Sequence, residues 1–296
     1  MLQQLLLNGI IAGSIYALIA IGFTVIYRTV KFFHFAHGVV YTAAAYFAYS
    51  IVQCLGVGEF WSLEVAIIIA VVGAGVLWVL IDRLVYLPLR KKQANNLIFL
   101  LASFGVFIFL QNFIQLLYGA QILTIRTGPV VEGHHIFSAV ITSIQILLLV
   151  VSLGVLVLLW IFIRWTRMGK ALRAVADDSM AANVVGINPE RIIMYSFLIG
   201  SMLAGVAGIL ISFETNIEPT MGFSALLKGV ISSIIGGIGS IPGAVLGGFF
   251  LGIAENLGIW KISAGWKDCI AFGILIVFLL IRPWGILGSK TDKENF

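Results

Sequence analysis

Apolar runs of membrane length follow one another along the chain with few polar interruptions. A helix of about 20 apolar residues crosses a hydrocarbon core of about 30 Å, and a helix satisfies every backbone group internally. The pattern predicts eight or nine helical spans, near residues 4–27, 38–54, 63–87, 97–118, 141–164, 190–213, 225–240, 242–259 and 267–288. The seventh and eighth are short and glycine-rich, so one of them is a candidate re-entrant segment or half-helix. The expected fold is an all-α, polytopic membrane bundle forming one transmembrane domain over residues 1–296.

Composition removes the soluble alternatives. Hydrophobic residues make up 60% of the 296 positions and charged residues 10%, with a mean hydropathy of +1.09. A soluble domain carries about 25% charged residues because its surface faces water. Most of this surface is expected to face lipid. The first Lys or Arg is Arg28, so the start lacks a basic n-region, and residues 4–27 read as a retained span, not a signal peptide.

The net charge of +5 reports orientation, not a nucleic-acid partner. With nine spans and a cytoplasmic C-terminus, the inside receives Arg28, Lys31, Arg83, Arg90, Lys91, Lys92, Arg164, Arg167, Lys170, Arg173, Arg191, Arg282, Lys290 and Lys293. The outside keeps only Arg126, Lys261 and Lys267. That asymmetry follows the positive-inside rule. It places the 126–135 and 214–222 connections outside and the 90–96 and 170–183 connections inside.

The two longest connections, near 119–140 and 165–189, stand out in a chain that otherwise minimises loops. The second reads as an amphipathic helix over 168–186. Leu172, Val175, Ala176 and Ser179 or Met180 share one side, while Lys170, Arg173, Asp177 and Asp178 populate the remainder. Gly186 suits a helix stop, and Asn188, Pro189 and Glu190 suit an N-cap, a first helical position and a dipole-compatible acid.

Several polar residues lie where lipid makes them expensive. Lys228 and Glu255 are equidistant from the Ile241–Pro242 turn, so a hairpin brings them to one depth as an ion pair or as part of a substrate pathway. His34 and His37 sit three apart between the first two spans. They suit a structural turn or a gate, and no further ligand completes a metal site nearby. Gln111 and Gln115 share a face of the fourth span beside Asn112, suited to interhelical hydrogen bonding or to a pathway. Asp82 and Arg83 suit a local ion pair or snorkelling, and Glu214 and Glu218 an exposed outer loop.

Cys54 and Cys269 lack metal-ligand spacing and read as buried small hydrophobes. Small residues recur four apart, Gly9 with Gly13, Ala204 with Gly208, Gly243 with Gly247 and Gly248 with Gly252, as close helix packing in lipid requires. No cofactor is expected.

The stretches Asn8–Gly22, Phe35–Gly38, Phe109–Phe113, Arg167–Ala174 and Gly236–Ala244, in that order over nearly the whole chain, resemble the branched-chain amino-acid ABC importer permeases, specifically their LivH-like branch. The usual Asn opening the Asn-Phe-Ala-His-Gly motif is His34 here, which leaves the fine substrate assignment open. The resemblance implies a permease subunit in the bacterial inner membrane that moves branched-chain or other neutral amino acids by alternating access. Its implied partners are a second homologous permease, two cytoplasmic ATPases and a periplasmic or extracellular substrate-binding protein.

The loop over 168–186 becomes a cytoplasmic coupling helix, with Gly169, Leu172, Arg173, Asp177 and Gly186 as candidate ATPase contacts. Urea, short amides or another small polar solute are alternative substrates for such a permease. The chain has no Gly-x-x-x-x-Gly-Lys-Ser/Thr loop, so ATP hydrolysis is expected on a partner. A self-sufficient secondary transporter would not need a coupling helix. An intramembrane protease would need paired Asp or a His-rich motif within its spans.

Overall fold

The computed structural model describes residues 1–55, 60–125, 133–136 and 139–288. Arg126, Lys290, Lys293 and most of the 126–135 connection lie outside the described residues.

Twelve α-helices carry nearly all the described chain: α1 (Leu2–Val30), α2 (Ala36–Leu55), α3 (Phe60–Ile81), α4 (Leu87–Lys91), α5 (Asn96–Tyr118), α6 (Ser143–Trp165), α7 (Arg167–Asp177), α8 (Ser179–Val184), α9 (Pro189–Glu214), α10 (Met221–Gly236), α11 (Ile241–Gly258) and α12 (Lys267–Ile281). A π-helical turn, Asp82–Tyr86, joins α3 to α4. Nine of these helices occupy the nine apolar runs.

By length and composition, six described helical stretches can cross a membrane: Leu2–Val30, Ile67–Lys91, Asn96–Tyr118, Ser143–Trp165, Pro189–Glu214 and Ile241–Gly258. Helix α10 has 16 residues. At about 1.5 Å per residue it is shorter than the roughly 30 Å hydrocarbon core.

Side chains and glycines set the helix ends. Asn95 accepts from the Ile98 N–H at 3.0 Å to open α5. Thr166 accepts from Gly169 N–H at 3.0 Å for α7, and Ser240 caps α11 ahead of Pro242. Each cap satisfies a donor that lacks an intrahelical partner. Between α10 and α11, Gly237 and Gly239 take φ of +111° and +86°, which residues with a Cβ rarely adopt.

The chain divides into two compact units, 1–24 with 128–154 and 227–296, and 25–127 with 155–226. In the first, glycines bring backbones into contact. A Cβ at Gly252 would fall on the Gly13 backbone, one at Gly248 on Ala17, one at Gly247 on the Ser232 carbonyl and one at Gly236 on Gly243. Around this contact Ile231, Ile235, Leu251 and Ala271 form a buried cluster.

The first unit also holds a feature within a connection that the sequence suggested only as a loop. Strands β1 (His134–Ile136) and β2 (Ala139–Ile141) pair antiparallel. The Gln4 side chain clips this hairpin to α1, donating to the Val140 carbonyl at 3.0 Å and accepting from its N–H at 2.8 Å.

In the second unit α2, α3, α5 and α9 pack together. A Cβ on Gly208 of α9 would strike the Tyr41 carbonyl of α2, and Gly205 faces Ala74 and Ala44. The outer faces stay apolar: Leu116 is 79% exposed and Leu158 67%, as a lipid-facing surface requires.

Three expectations change. Cys54 and Cys269 are free thiols on exposed positions, not buried hydrophobes, because each falls near one end of its helix, Cys54 beside the exposed Gln53 and Cys269 beside the exposed Asp268. Asp82 pairs with Arg90 at 2.8 Å rather than with its neighbour Arg83, because the π-helical turn carries the chain round to α4. The 168–186 segment is two helices, broken where Asp178 takes an extended conformation and caps α8 through the Met180 and Ala181 N–H groups.

The glycine contacts predict that Gly248→Val and Gly252→Val each destabilise the purified protein, by about 1–3 kcal/mol as for overpacking elsewhere. Gly105→Ala and Gly154→Ala meet open space and should not. Thermal unfolding in detergent compares the four. Equal melting temperatures throughout would show that the backbone contact carries no stability.

Candidate functional site

The hairpin of α10 and α11 brings Lys228 to Glu255, its ammonium lying 3.1 and 3.0 Å from the two carboxylate oxygens. Glu255 is fully buried. Tyr16 of α1 completes the group: its hydroxyl donates to Glu255 at 2.9 Å and accepts from Lys228 at 3.1 Å. The ammonium also lies 5.2 Å from the Tyr16 ring centroid, within cation–π range. Asp268, at the first turn of α12, makes a further contact with Lys228 at 3.3 Å. Neither Tyr16 nor Asp268 carries a spacing signal relative to Lys228. Each is a polar residue opening or interrupting an apolar helix, which is the one sign they give.

A second buried polar centre surrounds His34, in the short link between α1 and α2. Its Nδ1 lies 3.3 Å from the Tyr86 hydroxyl. Its ring meets Trp78, Phe197 and Tyr86 edge-on, with centroids 4.5, 5.2 and 5.5 Å away. Nε2 has no hydrogen-bond partner among the described residues. Burial, and then the neighbouring His37, hold the His34 pKa well below its ordinary value. His37 is also fully buried. Among the described residues no group of three or more His, Cys, Asp or Glu could hold a metal ion.

On α5, Asn112 is exposed and donates to its own helix at the Ile108 carbonyl, 2.8 Å away, so its amide bonds within the helix. Gln111 and Gln115 are half-buried.

Of the residues singled out in the sequence, Gly169 and Leu172 are buried within the α7–α8 segment, while Asp177 and Gly186 are exposed. Leu172 is buried with Val175, Ala182 and Ile192. Gly169 lies against the backbone of Phe162 and Ile163 at the end of α6. Arg173 reaches the Arg164 carbonyl at 3.5 Å. Asp177 pairs with Arg28 at 3.0 Å, and Gly186, at φ +87°, ends α8. Beside the exposed charges Lys170, Asp177 and Asp178, the segment presents outward Met180, Val184 and Val185, 78, 84 and 74% exposed. Met180 and Val184 lie on this helix of six and Val185 is its C-cap, so the three form an exposed apolar group at one end of the segment. The amphipathic reading of one long helix hid them, because the break at Asp178 turns α8 away from the α7 register.

This arrangement is that of a multi-pass α-helical membrane protein with charges paired inside its helical hairpins. Residues 5–279 match the family model described as the branched-chain amino acid transport system permease component, and the chain belongs to that family. It is 41% identical, over 99% of its length and 97% of the relative's, to the high-affinity branched-chain amino acid transport system permease protein LivH of Escherichia coli strain K12. It is 40% identical over the same shares to the corresponding permease protein BraD of Pseudomonas aeruginosa. A probable branched-chain amino acid transport permease protein LivH from Methanocaldococcus jannaschii is 29% identical over 98% of this chain and 94% of its own. No solved structure matches the chain.

Removing Lys228 leaves the fully buried Glu255 without its cation, and removing Glu255 leaves the half-buried Lys228 with only the more exposed Asp268 as counter-charge among the described residues. Lys228→Met or Glu255→Gln should each cost about 3–5 kcal/mol, and the double variant less than the sum. A double-mutant cycle on thermal unfolding measures this, and additive effects would show that the pair is not energetically coupled.

The depressed His34 pKa gives a signed pH dependence. The unfolded chain takes up a proton at His34 below about pH 6.5 and the folded chain does not. The stability that neutral His34 contributes is therefore full above that pH and falls on acidification. The melting temperature should drop from about pH 7.5 to about pH 5.5, and drop less in His34→Asn. Identical profiles would exclude His34 as the source.

Proposed function

We propose that this chain is the membrane-spanning permease subunit of an ATP-binding-cassette importer for branched-chain amino acids, resident in the bacterial inner membrane. The observation that carries the reading is similarity along the whole length: two permeases of branched-chain amino-acid systems align at 40–41% identity over 99% of the chain. The expected partners are a second permease, two cytoplasmic ATPases and an external substrate-binding protein. The Lys and Arg distribution supports a cytoplasmic C-terminus, with α7–α8 inside and the Glu214–Gly222 connection outside.

In this reading ATP closes the ATPase pair, the movement enters through α7–α8, and the bundle changes the side to which its pathway opens. The exposed apolar trio Met180, Val184 and Val185 makes the contact. Leu172, Arg173, Gly169 and Gly186 hold α8 in place for it. The chain supplies a path and a mechanical input, not bond chemistry. Lys228, Glu255 and Tyr16 keep the outer half of the α10–α11 hairpin in one register, so that the movement is transmitted rather than absorbed.

Reconstitution of the permease with its ATPases and binding protein tests the reading. Uptake of leucine, isoleucine or valine should require ATP. Met180→Asp and Val184→Asp should leave insertion intact, because the residues lie outside the lipid. Each should lose ATPase co-purification and cut uptake by about tenfold or more, as truncation of an interface anchor does. Wild-type uptake with normal ATPase binding in both variants would remove α8 as the contact, and ATP-independent uptake would overturn the importer reading.

A further inference from the structure

Helix α7 ends on an aspartate, and that is a locally unfavourable choice. The C-terminal end of a helix carries partial negative charge, so an acid in its last turn is disfavoured. Asp178 beside it is explained, because it is the N-cap of α8. Asp177 caps nothing. Among the described residues its charged contact is with Arg28 at 3.0 Å, which lies in the last turn of α1, where the helix end favours a cation. The next residue of α1, Thr29, shares a hydrogen bond of 2.8 Å with Ser196 of α9. The last turn of α1 is thus fixed by side chains to the helix before α8 and to the helix after the Gly186 stop.

Resting on the proposed entry of movement at α7–α8, we propose that Arg28 and Asp177 are positioning residues that tie the ATPase-facing segment to α1. Displacement of α8 carries α7 with it, through the buried Leu172, Val175 and Ala182 contacts. The ion pair then passes the displacement to a 29-residue helix. Neither residue belongs to the proposed contact formed by Met180, Val184 and Val185. Their side chains are 29 and 71% exposed, so the tie is salt-sensitive and of modest strength, suited to a joint that must re-form in each cycle.

The test uses assembled importer carrying Arg28→Asp, Asp177→Arg, the milder Asp177→Asn, or the double swap Arg28→Asp with Asp177→Arg. Co-purified ATPase, stimulated ATP hydrolysis and uptake per ATP hydrolysed are measured in each. The single variants should keep the ATPases and hydrolyse ATP, yet transport about fivefold less per ATP, the upper end for an exposed pair. The double swap should recover most of the ratio.

Single variants with a wild-type ratio overturn the tie. So does a double swap that fails to recover, since the residues then do not act as a pair. Fewer assembled complexes at an unchanged ratio, or loss of the ATPases, overturn it as well, showing a structural or docking role. The proposed contact fails separately: if Met180→Asp keeps normal ATPase binding, α8 is not the docking element, whatever the swap does.

Discussion

Direct backbone contact between helices is the constraint on which the rest of this molecule depends. In hydrocarbon, helices gain little from burying apolar side chains against one another, because lipid is equally apolar, so association rests on dispersion at close range and on polar bonds. Gly13, Gly248 and Gly252 let α1 and α11 meet without side chains between them, and Gly236, Gly243 and Gly247 do the same for α10 and α11. Gly208 brings α9 onto α2. Such contacts are short-ranged and specific in register, so a one-residue slip would place a larger neighbour where only hydrogen fits.

Close approach also lets charges survive inside the apolar hairpin. Lys228 and Glu255 face each other because α10 and α11 are drawn together by their glycines, and Tyr16 reaches both because α1 lies against α11 along the same stripe. The His34 centre solves the opposite problem. Its imidazole is enclosed by Trp78, Tyr86 and Phe197 and is held neutral by burial. The π-helical turn at Asp82–Tyr86 brings Tyr86 to that ring and Asp82 to Arg90.

The helical plan was legible because apolar runs in lipid have one solution, and helix ends because Asn188, Pro189 and Gly186 have narrow backbone preferences. The meeting of Lys228 and Glu255 was legible from equal distances to a turn. Long-range partners were not: nothing in sequence spacing ties Tyr16 to a residue 239 positions away, or Arg28 to Asp177. Local conformation misled where one residue reset the register. Asp178 in an extended conformation splits the predicted amphipathic helix and turns Met180, Val184 and Val185 outward. The β1–β2 hairpin was missed because its strands have three residues each, too short for an alternating pattern to show.

The central claim is that energy enters this permease through α8 from the cytoplasm. A single Val184→Cys, in a chain whose Cys54 and Cys269 have been replaced, measures it most directly when a short bifunctional thiol cross-linker is applied to intact membranes. The account predicts a covalent adduct with an ATPase subunit, formed in good yield and protected from impermeant thiol reagents added outside. Modification from the outer face, or recovery of the chain without any ATPase adduct, would contradict it.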